Sequence, residues 1–286
     1  MIEKWAVKTS QPDIAIMSTS DYLIFIEIIN ITLRDLGIEA HPESRLVRYE
    51  KLVVNRFRSR FTKDELNRDA YFILARAFSE IRQLAYIASY FRISNKHQGL
   101  IEKARILLHD SALPSIDRTK STPGRDAQFE LFVAACWSAC GFNCKLRDPP
   151  GPDLGLEIFG FYIGLEVKRI KSLSSLEKRV DKANKQNSTL PGGGAIVTDL
   201  SPVILNSLPY LRALSHKDVL QDLEGRLKNI MSTQHDKIEK RVRVNSTFGW
   251  IGYCEALYLT EDSPLFYAYQ WKNFGSLGFR MVNGSS

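Results

Sequence analysis

The sequence predicts an α/β protein with a mainly helical front part, and three observations predict it. Between Asp64 and Arg92, Leu66, Ala70, Ile73, Ala77, Ile81, Leu84 and Ala88 recur at spacings of three and four, one stripe of an amphipathic helix. From Arg125 onward the pattern changes from helical to extended and back, in the order helix, three strands, helix, strand. The chain has 286 residues, 44% hydrophobic and 25% charged, which is ordinary globular composition and, at roughly 150 residues per domain, a little under two domains. That composition excludes a disordered tail protein, a collagen-like chain and a coiled-coil rod.

Each element has its own signal. Tyr22 to Gly37 is a helix candidate, although its Ile-rich run would also suit a buried strand. Thr62 and Glu65 form a capping box ahead of the long helix, and a further helical pattern covers Gly99 to Asp110. Ser115 to Gly124 is polar and ends in Pro123-Gly124, so the boundary is expected there, with a helical N-terminal domain over 1–118 and a second domain over 119–286. Phe129, Phe132, Val133, Cys136 and Trp137 line one side of a helix from Arg125 to Cys140, closed by Gly141. Phe142 to Leu146 reads as a short strand. Asp153 to Phe159 and Phe161 to Arg169 then read as a hairpin pivoting on Gly160. Ser174 to Asn187 is helical and basic, and Pro191 to Gly194 leads into a buried strand, Ala195 to Thr198. Lys217 to Arg243 reads as a helix, with Trp250 to Leu259 and Phe266 to Trp271 as a closing strand pair. There is no internal repeat.

Charge and cysteine content narrow the setting. Lys and Arg number 39 against 32 Asp and Glu, a net charge of +7, which suits an anionic partner such as nucleic acid or a membrane surface. The longest apolar stretch, Tyr22 to Leu33, carries Glu27 and Asn30 and is too short and polar to span a bilayer, and Met1 to Lys4 does not open a signal peptide. No membrane association is expected. Four unevenly spaced cysteines, Cys136, Cys140, Cys144 and Cys254, point to a reducing, cytoplasmic location. Zinc binding by the first three is disfavoured because two fall on a helix beside Trp137 and no histidine is near. Gly192 to Gly194 precedes a strand rather than a helix and reads as a turn, not a phosphate cradle.

The chemistry-bearing constellation is Asp153 at the first residue of one hairpin strand, with Glu166 and Lys168 two apart on the next and so on one face. Carboxylate oxygens suit a hard cation, and a neighbouring lysine can stabilise charge on a phosphate or position the attacking water. On a strand as apolar as Phe161 to Ile170 such charges are costly unless a metal or phosphate meets them. Between positions 165 and 185 seven basic residues face three acids, which would neutralise a polyanion backbone. A solvated helix face accounts equally well for Lys178 and Lys185.

Pro152-Asp153 followed by Gly164-Leu165-Glu166-Val167-Lys168 resembles the PD-(D/E)xK motif of the restriction-endonuclease-like nuclease superfamily. The resemblance covers about Arg125 to Ser201. It implies an αβββαβ core with a mixed sheet and a metal-dependent endonuclease hydrolysing phosphodiester bonds, foremost in DNA, with Mg²⁺ or Mn²⁺ as cofactor. By position, Asp153, Glu166 and the Val167 carbonyl would be metal ligands, Lys168 the catalytic lysine, and Glu130 the acid on the first core helix. Arg169, Lys171, Lys182 and Gln186 are the candidates for nucleic-acid contact. Cutting both strands of a duplex needs two active sites, which points to a homodimer. A prokaryotic defence or restriction role suits such a protein. The alternatives are a binding or assembly module of this fold without turnover, and a nuclease active only with a protein partner on the N-terminal helices.

Overall fold

Side chains at helical spacing close the first part of the chain into a helical layer. The computed structural model describes residues 19–58, 68–93, 98–108, 123–147, 151–158, 160–206, 208, 211–241, 247–259 and 266–274. Helices α1 (Thr19–Asp35), α2 (Arg45–Arg58), α3 (Arg68–Ile93) and α4 (Gln98–Leu108) pack on one another and on α5 (Pro123–Ala139). The Ile-rich run after Tyr22 is thus helical, burying Tyr22, Ile29 and Leu36. Helix α2 was not expected, because Leu46, Tyr49 and Val53 are its buried apolar residues among arginines and a lysine. Thr62 and Glu65 lie outside the described residues, as does most of the connection from Ser115.

Helix α5 begins at Pro123 and ends in a Schellman-type cap. Gly141 takes φ +86°, its N–H donates to the Ser138 carbonyl at 3.0 Å, and the Phe142 N–H donates to Trp137 at 3.2 Å. That cap turns the chain into β1 (Asn143–Leu146), antiparallel to β2 (Leu154–Ile158), which is antiparallel to β3 (Phe161–Arg169). Gly160, at φ +81°, makes the turn between the last two. After a 3₁₀ turn at Leu173–Ser175, α6 (Leu176–Asn187) carries the chain over the sheet to β4 (Gly194–Asp199), parallel to β3 as a helical crossover permits. Then come α7 (Ser201–Leu205), β5 (Leu211–Arg212), α8 (His216–Glu239), β6 (Thr247–Leu259) and β7 (Phe266–Phe274). A box between Ser215 and Asp218 caps α8.

The result is a mixed α/β fold. The sheet runs β1-β2-β3-β4-β6, with β7 antiparallel on the far edge of β6 and the short β5 parallel along its end. Its two faces bury different partners. Leu165, Val167, Ala195 and Val197 share one core with Phe129, Phe132 and residues of α1 to α4, and Ile170 and Ile196 share another with Val180, Leu223 and Leu227 of α6 and α8. The first core crosses the boundary expected near residue 118, because α5 packs on α3 and α4 as well as on β1 and β3. Among the described residues, no helix is long and apolar enough to cross a membrane.

Candidate active site at the end of strand β3

The pairing of β2 with β3 brings the acids together. Leu154 faces Leu165, so continuing that register by one residue sets Asp153 opposite Glu166, and alternation puts Lys168 on the same face. Asp153 Oδ2 accepts the Val167 N–H and the Lys168 ammonium, both at 2.8 Å. Lys168 Nζ also lies 2.6 Å from Glu166 Oε1. The loop carrying Asp153 is tied down on two sides: the Arg147 N–H donates to the Asp153 carbonyl at 3.1 Å, and Gln186 Nε2 on α6 donates to the Gly151 carbonyl at 3.1 Å.

The electrostatics follow from burial and from sharing. The Glu166 side chain is 0% exposed, and among the described residues no donor reaches its Oε2. Burial, and then the negative charge of Asp153, push its pKa up to about 7, with Lys168 only partly compensating. Burial opposes the Lys168 ammonium, but Asp153 and Glu166 outweigh it and hold its pKa above the ordinary lysine value. One cation thus serves two carboxylates.

Glu130 approaches from α5. Burial, followed by Asp153, raises its pKa against the pull of Lys103 and Lys168, so it belongs to the same electrostatic neighbourhood. Its carboxylate is ion-paired with Lys103 of α4. Glu130, Asp153 and Glu166 do not bring ligand atoms within 4.8 Å of one another as one set. The donor group of that kind among the described residues is His235, Asp236 and Glu239 on α8, of which the two acids are exposed.

The remaining expected residues are distributed unevenly. Val167 contributes its N–H to Asp153 and buries its side chain in the core. Arg169 points to the opposite face from Lys168 and is held by Asp199, with Nε 3.0 Å from Oδ2 and the side chain 10% exposed. Lys182 is exposed on α6 and close enough to lower the pKa of Glu166 slightly. Lys171 is half-buried beyond the end of β3. Gln186 faces the Gly151 loop, with a buried Oε1 that has no donor among the described residues. Cys136, Cys140, Cys144 and Cys254 form no disulfide. Lys103 escaped the sequence reading because nothing in its helical stripe marks a lysine that will meet an acid on another helix, Glu130, 27 positions later.

Compared with family models, curated proteins and solved structures, the chain shows no match.

Proposed function

We propose that the chain is a metal-dependent nuclease of the restriction-endonuclease-like type, acting on phosphodiester bonds, foremost in DNA. The observation that carries this reading is the Glu166 carboxylate: fully buried, with one oxygen lacking a donor, and sharing a single ammonium with Asp153. A buried carboxylate pair with one counter-charge is short of positive charge, which is the condition a divalent cation relieves. The donors are hard oxygens, so Mg²⁺ or Mn²⁺ fits and Asp153 and Glu166 would hold it. When bound, such an ion supplies charge stabilisation at the phosphate and a more acidic water.

The chain's own residues do the rest. Lys168 stands between the acids, placed to neutralise charge growing on a phosphate oxygen. Glu130, ion-paired with Lys103, is near enough to Asp153 for their charges to act on each other, and its proposed part is to orient a water. Gln186 holds the Gly151 loop and so the position of Asp153. The exposed Lys178, Arg179, Lys182 and Lys185 of α6 offer the backbone of a nucleic acid a run of cations. The element order α5-β1-β2-β3-α6-β4 agrees with an αβββαβ core and supports the assignment. A role in prokaryotic defence or restriction is part of this proposal, as is pairing of two copies for duplex cutting.

A second reading draws on the same distances. Lys168 by itself bridges Asp153 and Glu166, as in a binding module of this fold that needs no metal. Cleavage of a plasmid and of a labelled single strand with Mg²⁺, Mn²⁺ or EDTA decides between them. Metal-dependent cutting that disappears in Lys168→Ala and Asp153→Ala is the expected result. Cutting at the wild-type rate by either variant refutes the nuclease reading. No cutting together with no Mg²⁺-induced rise in melting temperature favours the binding module.

A further inference from the structure

The sheet face that bears the acids does not end with them. Lys145 pairs with Gly155, and Gly155 with Gly164, so Lys145, Arg147, Tyr162, Asp153, Glu166 and Lys168 all point to one side. On β1 the alternation is clear: Cys144 is buried and Lys145 is exposed. Tyr162 lies across Gly155, where a Cβ would come 2.0 Å from the phenol oxygen, so only glycine leaves room for the ring. The ring is 37% exposed, and the Arg147 guanidinium stands 5.2 Å from its centroid. Neither Arg147 nor Lys145 has an acidic partner among the described residues. The acids are close by, since the Arg147 backbone is bonded to that of Asp153, one strand spacing of about 4.8 Å away.

We propose that Tyr162, Arg147 and Lys145 form a seat for a single-stranded stretch of nucleic acid leading into the Asp153–Glu166–Lys168 site. The proposal rests on the nucleic-acid reading above and names its substrate class. A partly exposed aromatic ring with a guanidinium over it, the latter lacking an acidic partner among the described residues, offers a base a stacking platform of ring and guanidinium and a phosphate the charge. Bases inside a duplex are stacked on one another and do not reach such a ring, so the seat selects an unpaired segment. Lysine on an edge strand also discourages strand-to-strand aggregation. That role explains Lys145, but not a tyrosine seated over a glycine with arginine against it.

Fluorescence anisotropy in EDTA, where cutting is suppressed, tests the seat with a labelled thymidine oligonucleotide and a duplex of equal length. Tyr162→Leu keeps apolar bulk over Gly155 and is expected to weaken single-strand binding by about tenfold while leaving the duplex unchanged. Tyr162→Phe retains near-wild-type binding. Arg147→Gln and Lys145→Gln each make the salt dependence shallower by about one phosphate contact. Wild-type single-strand affinity in Tyr162→Leu, or a wild type that binds no single strand, overturns the seat. Equal loss in the leucine and phenylalanine variants overturns stacking as its basis. Tyr162-dependent binding with neither Mg²⁺-dependent cutting nor a Mg²⁺-induced rise in melting temperature leaves the seat standing and counts against the nuclease reading. Cutting that is indifferent to Tyr162 does the reverse.

Discussion

Two buried glutamates on opposite sides of the sheet have opposite fates. Glu80 on α3 meets Arg125 Nε at 3.0 Å and Arg45 Nη1 at 2.9 Å, and its side chain is 5% exposed. Burial alone would raise its pKa, but Arg125, then Arg45 and Arg76, bring it down to about 2. The network extends outward: Arg45 Nη2 donates to the Leu107 carbonyl at 2.6 Å and to Gln128 Oε1 at 2.8 Å, Gln128 to Gln83 at 2.7 Å, and Gln83 to Glu255 at 2.9 Å. Glu166, equally buried, has one lysine that it shares with Asp153, and its pKa goes up to about 7. Burial is common to both, so the number of cations per carboxylate decides whether a buried acid is a settled structural charge or one poised for a ligand.

The largest expected effect breaks the settled side. Glu80→Leu leaves Arg45 and Arg125 buried without their carboxylate, which costs about 3–5 kcal/mol and is read as a fall in the urea midpoint. The same loss in Glu166→Gln would make the two glutamates alike.

On the poised side, Lys168→Ala is expected to cut the cleavage rate by about 10²–10³-fold while the protein remains folded. A parallel collapse of the melting transition would mean that the lysine holds the fold together.

Glu166→Gln sharpens the contrast through pH. A carboxylate whose pKa is raised in the folded state binds its proton more tightly there than in the unfolded chain. Its contribution is therefore fully present below about pH 4.5 and is lost as pH rises to about 7. The variant lacks that loss, so without metal it melts above the wild type at pH 8, by on the order of 2 kcal/mol, and not at pH 4. Mg²⁺ stabilises the wild type increasingly as pH passes through 7 and leaves the variant unmoved. Equal melting of the two proteins at pH 8 would show that Glu166 is already satisfied.

The smallest effect is that of Gln186→Ala. It removes one hydrogen bond to the Gly151 carbonyl, about 1 kcal/mol of stability, and is expected to lower cleavage more than stability, by loosening the loop that presents Asp153. Unchanged cleavage would mean that Arg147, Val167 and Lys168 hold the aspartate without it.

Local pattern made much of this legible. Gly141 and Gly160, both at positive φ, were readable as the end of a helix and the pivot of a hairpin because few other residues tolerate those angles. Glu166 and Lys168 were assigned to one face by strand periodicity, and Asp153 was drawn to them by the hairpin. Helix α2 was not legible, since its buried side carries Leu46, Tyr49 and Val53 between charged residues. Arg169 was read with the basic residues around it, yet alternation turns it away from Lys168 and onto Asp199.

By itself the sequence determined most of the helices and strands from Arg125 onward, the hairpin between β2 and β3 and the shared face of Glu166 and Lys168, because turn chemistry and periodicity act over a few residues; α7, β5 and the register that sets Asp153 opposite Glu166 came only with the fold. Only the tertiary structure decided that Lys103 faces Glu130, that Arg45 and Arg125 converge on Glu80, and that Tyr162 settles over Gly155 with Arg147 against it. Those meetings join residues that sit on different helices or strands, so they exist only once burial has packed the layers and each charge has found its partner.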